Sequence, residues 1–304
     1  MRHHLNGFIE SMRAKCYSPD TLVGRRKSIS YFLTYAEEKG VKKIGAVTRE
    51  MVLSYMLHLR TEKRLKNGSI QTHFSDLKNF FLHLERNGEL TRNPCDGVTR
   101  PKDEDRLPAA VLTPSEVEKI LATPSATHPV GIRDRAVLEL LYSTGLRRAE
   151  LTALMVADLD LKGGFVRVTK GKGGRGRLVP LGERACAAIA RYLPIRHQWA
   201  RRSQALSDAL WVSPQTPFHH IGKVGIYCIV KRNAKRAGLN RHAGPHLWRH
   251  TFATHLLRNG AHLFAVQKLL GHQSIKNTEI YTRVSVGDVQ QTQCRCHPRS
   301  RRKA

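Results

Sequence analysis

The sequence predicts a mainly α protein with a small β-sheet, divided into two domains. Three observations carry that prediction. Apolar residues recur at the helical period through most of the chain, one short stretch alternates at period two on either side of a glycine-rich turn, and a proline- and charge-rich segment at residues 93–108 shows neither period. A length of 304 residues also fits two domains at about 150 residues each. With 40 % apolar residues and ordinary glycine and proline counts, the chain is neither disordered, collagenous nor low in complexity.

The N-terminal part reads as a small helical bundle. A short first helix is expected over residues 5–12. Leu22, Ile29, Phe32, Leu33 and Ala36 then form one stripe, Met51, Val52, Tyr55, Met56 and Leu59 a second, and Ile70, Phe74, Leu77, Phe80, Phe81 and Leu84 a third. Asn67-Gly68 and Asn87-Gly88 are expected to supply turns. The aromatic residues fall at helical spacing, so they are assigned to the core rather than to base-stacking platforms. The helical domain spans residues 1–95, and an extended linker follows over 96–112.

Thr113-Pro114-Ser115-Glu116 opens the second domain as a helix start, with a capping threonine, proline at the first helical position and glutamate three residues on. Residues 133–142 are strongly helical and stop at Thr144-Gly145, where a second helix begins with Leu146-Arg147-Arg148. Phe165-Val166-Arg167-Val168-Thr169 alternates like a strand, GKGGRG (171–176) turns, and Arg177-Leu178-Val179-Pro180-Leu181 returns, making a hairpin with Lys172 at its tip. From Glu183 onward the pattern is mainly helical. One helix opens at Gly244-Pro245-His246, with Leu247, Ala253, Leu256 and Leu257 marking its buried side. Another closes at Leu269-Leu270-Gly271-His272, and residues 274–284 with Tyr281 form a further helical segment before a short basic tail. The domain spans residues 113–304.

Charge narrows the class of partner. Lys plus Arg number 52 and Asp plus Glu 24, so the net charge is 52 − 24 = +28. Residues 1–105 carry 19 basic and 13 acidic residues, leaving 33 − 11 = +22 for residues 106–304. Between residues 161 and 249, 18 basic residues face only Glu183 and Asp208. A solvated face mixes signs, so this stretch is expected to contact the phosphate backbone of a nucleic acid. No apolar run approaches the ~18 residues of a membrane span, and the N-terminus has no secretory h-region. Six cysteines in a chain of this length make no disulfide framework, which fits a cytoplasmic protein. Cys294, Cys296 and His297 lack the second ligand pair of a structural metal site.

The polar residues with chemical potential are few. Arg147 stands at a helix opening, where an arginine suits a phosphate. His246 and Arg249, three apart, project from one side of a first helical turn. His246, His250 and His255 carry a zinc-like spacing, but Leu247 replaces the glutamate of HExxH, and the permanent charge of Arg249 opposes a divalent ion. Two-metal enzymes hold their ions with several carboxylates, and residues 161–249 offer two. GKGGRG lacks the Ser/Thr and the following helix of a nucleotide-binding loop. What remains is phosphoryl transfer to a protein nucleophile without metal, nucleotide or other cofactor, with Arg, Lys and His neutralising the developing charge.

Four strings complete the picture. TGLRRAEL (144–151), GKGGRGRLVPL (171–181), PHLWRHTFATHLL (245–257) and LGHQSIKNTEIYTRV (270–284) resemble the successive motifs of the tyrosine recombinase, or phage integrase, family. The Xer-type branch is nearest in length and layout, and the likeness covers nearly the whole chain. The resemblance implies a core-binding (SAM-like) N-terminal domain and a mixed α/β catalytic domain of the tyrosine recombinase type. It implies Tyr281 as the nucleophile on a DNA phosphodiester, leaving a 3′-phosphotyrosine and a free 5′-hydroxyl. Arg147 and Arg249 would then fork onto the phosphate, Lys172 would protonate the leaving oxygen, His246 would take the tyrosyl proton, and His272 would hydrogen-bond the phosphate. Double-stranded DNA bearing recombination sites, a homotetramer and a Holliday junction, with or without a partner recombinase, follow from the same resemblance. A DNA-binding regulator of this fold and a type IB-like relaxing enzyme are the alternative functions. Arg148-Ala149 and Trp248 depart from the usual pattern, and the C-terminal segment that docks onto a neighbouring subunit in the family is short here.

Overall fold

The structure, a computed structural model, describes residues 1–99, 111–169, 176–201, 208–215, 219–241 and 243–271. The chain divides into two compact units, Met1–Leu107 and Pro108–Ala304, and each has its own apolar core.

The first unit is a helical bundle of α1 (Arg2–Ala14), α2 (Pro19–Glu38), α3 (Arg49–Thr61) and α4 (Asn67–Arg86), with a 3-10 turn at Ile44–Ala46. Ser18 caps α2 by accepting from the Thr21 N–H, with Pro19 at the first helical position. Thr48 caps α3 in the same way through the Met51 N–H. Helical spacing brings Phe8, Ile29, Phe32, Tyr55, Leu77, Phe80 and Phe81 into one buried cluster. Phe32 meets Tyr55 and Phe81 edge-on at centroid distances of 5.2 and 5.7 Å, so these aromatics are core, as expected.

Two local expectations change. The first helix runs beyond residues 5–12 at both ends, because its terminal residues are mostly polar or exposed and leave no trace in an apolar period. Asn67-Gly68 is no turn: both residues lie in the first turn of α4. The first four N–H groups of a helix have no intrahelical partner, so poor helix formers cost little there. Asn87-Gly88 does close α4, with Gly88 at φ +74°. Residues 93–98 form a turn on this unit: Asn93 and Cys95 are buried, and the Arg49 guanidinium donates to the Gly97 carbonyl at 2.8 Å.

The second unit begins with α5 (Pro114–Ala122), α6 (Pro129–Thr144) and α7 (Arg148–Thr152), then β1 (Leu159–Asp160), β2 (Phe165–Val168) and β3 (Arg177–Pro180). After them come α8 (Glu183–Ala200), β4 (Val212–Ser213), β5 (His219–His220), α9 (Lys223–Arg236), α10 (Pro245–Arg258) and α11 (Leu263–Leu270). Thr113 and Glu116 form the expected reciprocal cap, Thr113 N–H to Glu116 Oε2 at 2.7 Å and Glu116 N–H to Thr113 Oγ1 at 3.2 Å. The sheet has the antiparallel order β1-β2-β3, with Val166 opposite Val179 and Val168 opposite Arg177. Alternation therefore turns Val166, Val168 and Val179 inward, onto a core that includes Leu138, Leu141, Tyr192 and Trp211.

The β4-β5 pair was not expected, since two-residue strands are too short to display a period. On α10 the buried side also differs from the expected one. Ala253 is buried as expected, but Leu247, Leu256 and Leu257 are only half-buried, while Trp248, Arg249, Thr251 and Phe252 are buried. Trp248 supplies the bulk that shifts the buried stripe and packs edge-on against Tyr142 at 6.1 Å.

Candidate active site

The site is assembled at the C-terminal end of α11. The last carbonyls of a helix have no intrahelical donors and carry partial negative charge, so they attract cations. Three arginines from distant parts of the second unit use them. Arg177 Nε donates to the Leu269 carbonyl at 3.0 Å, Arg249 Nη2 to that of Leu270 at 2.7 Å, and Arg147 Nη1 and Nη2 to those of Leu270 and Gly271, both at 3.4 Å. Arg147 and Arg249 thus converge on one oxygen, that of Leu270.

Two glycines make this close packing possible. Gly145 ends α6 in the left-handed region at φ +58°, and a Cβ there would lie 2.3 Å from the Phe252 ring. Its carbonyl accepts from Arg249 Nη1 at 2.8 Å. Gly271 ends α11 at φ +64°, and its Cβ would lie 3.0 Å from Arg177 Nη1.

Arg147 stands at the N-cap position of α7, in extended conformation at φ −67° and ψ 148°. Its side chain is partly open to solvent, whereas Arg249 is 4 % exposed. Glu150, one turn on, accepts from the Arg147 N–H at 2.9 Å and from its Nη1 at 2.9 Å. The same carboxylate takes a two-pronged contact from Arg177, at 3.0 and 2.9 Å. Burial opposes ionisation of Glu150, but the hydrogen bonds from Arg177 and Arg147 and the charge of Arg177 prevail and hold its carboxyl below the ordinary range.

His246 shares the first turn of α10 with Arg249, as its spacing predicts. Desolvation on its protein side, followed by the charges of Arg148, Arg249 and Arg147, depresses its pKa below 6.5. The residue is nonetheless exposed. It is therefore a neutral imidazole at physiological pH, able to accept a proton. His255 is engaged elsewhere, with the Leu112 carbonyl at 2.9 Å and the Tyr142 hydroxyl at 3.0 Å. That engagement and the surrounding arginines oppose a zinc centre at His246, His250 and His255. Among the described residues no cluster of potential metal ligands occurs.

Of the six residues expected in the site, the structure brings together Arg147, His246 and Arg249. Lys172, His272 and Tyr281 lie outside the described residues, as do Cys294, Cys296 and His297. Lys172 falls between the described legs of the β2-β3 hairpin, and His272 directly follows Gly271. Sequence reasoning missed Glu150 and Arg177. Glu150 was visible as the one carboxylate between Glu139 and Asp158, three residues after Arg147; Arg177 had no distinguishing signal beyond its charge in an alternating strand.

A cavity of about 1040 Å³ lies in the first unit, lined by Arg25, Tyr31, Tyr55 and His73 among others. Among the described residues no helix is long and apolar enough to cross a membrane.

Two family models and several known proteins match this chain. Residues 110–287 match the model of the phage integrase family, and residues 5–88 match that of the phage integrase N-terminal SAM-like domain. The chain is 34 % identical over 287 residues to tyrosine recombinase XerD of Listeria monocytogenes serotype 4b (strain F2365), covering 93 % of this chain and 94 % of that one. It is 36 % identical over 305 residues to tyrosine recombinase XerC 2 of Ralstonia nicotianae (strain ATCC BAA-1114 / GMI1000), covering 98 % and 86 %. In fold it is similar to the Tn1549 transposon integrase in complex with transposon right end DNA, with a TM-score of 0.75, 21 % identity, and 96 % and 99 % of the two chains covered.

Proposed function

Because this chain belongs to the phage integrase family of tyrosine recombinases, we propose that Arg147, Lys172, His246, Arg249, His272 and Tyr281 are its catalytic residues. The enzyme is a site-specific recombinase acting on duplex DNA. The observation that carries the site assignment is the convergence of Arg147 and Arg249 on the Leu270 carbonyl, with neutral His246 beside them. Two guanidinium groups in one place can bind the nonbridging oxygens of a phosphodiester in a forked manner that lysine cannot reproduce.

In this reading Tyr281 Oη attacks the phosphorus, its proton passes to His246, and the bond to the 5′ oxygen breaks. Lys172 gives that oxygen its proton, and His272 hydrogen-bonds the phosphate. The bond energy is kept in the 3′-phosphotyrosine, so a 5′-hydroxyl from a second strand reverses the attack and reseals the DNA. Residues 1–95 act as core-binding domain, 96–112 as connection and 113–304 as catalytic domain. A tetramer passing through a Holliday junction, alone or with a partner recombinase, carries out the exchange in the cytoplasm.

Trapping on a nicked suicide duplex containing the recombination site tests the reading. A covalent protein–DNA adduct is expected in denaturing gels, unchanged by a chelator. Absence of an adduct, or its loss on chelation, contradicts it.

The pH dependence of cleavage follows from His246. The protonated ring cannot accept the tyrosyl proton, so kcat/KM is expected to fall as pH drops through the depressed pKa, below 6.5, and to level off above about pH 7. His246→Gln is expected to lose this acid limb. The same limb in wild type and variant would remove His246 from the proton transfer.

A further inference from the structure

We propose that Arg177 is a positioning residue for DNA cleavage, which through Glu150 keeps the charge and orientation of Arg147 available to the phosphate; the proposal rests on the site reading above. All three Arg177 nitrogens donate to protein acceptors, and its charge is matched by the buried Glu150 carboxylate. Its donors are directed inward. Nη1 and Nη2 meet Glu150 Oε1 and Oε2 at 3.0 and 2.9 Å, and Nε meets the Leu269 carbonyl at 3.0 Å.

The Glu150 carboxylate is a bridge with two equal ends. Oε1 accepts from Arg177 Nη1 and Arg147 Nη1; Oε2 accepts from Arg177 Nη2 and the Arg147 backbone N–H. The Glu150 side chain is 2 % exposed, so solvent does little to moderate its charge. Facing Arg147 alone, it would form a neutral pair and compete with an incoming phosphate for that guanidinium. With Arg177 on its other side the group of three carries one net positive charge, and Arg147 keeps it.

The location of Arg177 adds a mechanical link. It pairs with Val168 at the mouth of the β2-β3 hairpin, and residues 169–176, Lys172 among them, connect the two. Its guanidinium also fills the space where a Cβ on Gly271 would lie, 3.0 to 3.2 Å away. One side chain therefore joins the base of the Lys172 hairpin, the brace of Arg147 and the residue preceding His272. Lysine at this position would keep the charge but could neither fork onto Glu150 nor reach Leu269 at the same time.

Single-turnover cleavage of the suicide duplex at saturating protein, paired with DNA affinity across a salt series, tests the proposal on the full chain. Arg177→Met is expected to cleave about 10²-fold more slowly, and Arg177→Lys at an intermediate rate. Both should bind DNA with the wild-type salt slope, because loss of a phosphate contact would flatten it by about 0.9. The effect of Arg177→Met should largely vanish in an Arg147→Lys background. Glu150→Gln, which preserves shape, should slow cleavage similarly, and it decides the matter if Arg177→Met shows no cooperative melting. Wild-type rates in Arg177→Met or Glu150→Gln, a flattened salt slope, or full additivity with Arg147→Lys would overturn the proposal while wild type still forms its adduct. No adduct from wild type would overturn the site reading and the proposal together.

Discussion

Tyr281→Phe is expected to bind its DNA site with wild-type affinity and to form no covalent adduct with it. The substitution removes one oxygen and retains the ring, so the attacking atom alone is lost. None of the described members of the proposed site is expected to replace it. Arg147 and Arg249 are permanently protonated, and the guanidinium group is no nucleophile. His246 is neutral and adjacent, but its expected task is to take the phenolic proton, which leaves with difficulty from a group of ordinary pKa near 10. In the proposed mechanism the three described members therefore serve as an anion receptor and a base, and chemistry begins only when a hydroxyl is supplied. An equal adduct from Tyr281→Phe would remove Tyr281 from the nucleophile's place.

Arg249→Lys is expected to lower the cleavage rate by roughly 10² to 10³ at saturating protein, and to destabilise the second unit by about 1–3 kcal/mol. The two effects share a cause. Arg249 is buried and spans the Gly145 carbonyl at 2.8 Å and the Leu270 carbonyl at 2.7 Å, one at the end of α6 and one at the end of α11. A single ammonium cannot hold both carbonyls and a phosphate oxygen. A released Gly145 carbonyl loses this hydrogen bond without regaining water, and a released Leu270 carbonyl keeps only the longer contact from Arg147. Cleavage kinetics and thermal melting of the same preparation separate the consequences. Rate loss well above what the unfolded fraction explains is the expected outcome; a variant that cleaves like wild type would exclude Arg249 from the phosphate.

Much of this arrangement was legible in the sequence because its parts are local. Thr113 and Glu116 announce a cap, Gly145 and Gly271 announce helix ends, and the alternation on both sides of GKGGRG announces a hairpin. Arg147 and Arg249 could be selected because each stands in a first helical turn within a strongly basic domain. What escaped depends on contacts between distant segments. Glu150 at the third position of a helix reads as an ordinary cap partner, and only the fold brings Arg177 onto its far side. Arg249 reads as an exposed, DNA-facing charge, yet it is buried, because the ends of α6 and α11 present carbonyls that nothing else in their own helices can satisfy. The Asn67-Gly68 turn failed for a different reason: turn propensity and first-turn tolerance favour the same residues, and only the neighbouring packing of α4 decides between them.

In the proposed reaction a protein–DNA ester at Tyr281 forms in a site where arginines do the work a metal would do. Digesting the trapped suicide complex, made in the presence of chelator, and sequencing the peptide that remains on the DNA tests it most directly. One linkage is expected, from the Tyr281 oxygen to the 3′ phosphate of the cleaved strand. A peptide lacking Tyr281, or a linkage to the 5′ end, would contradict it.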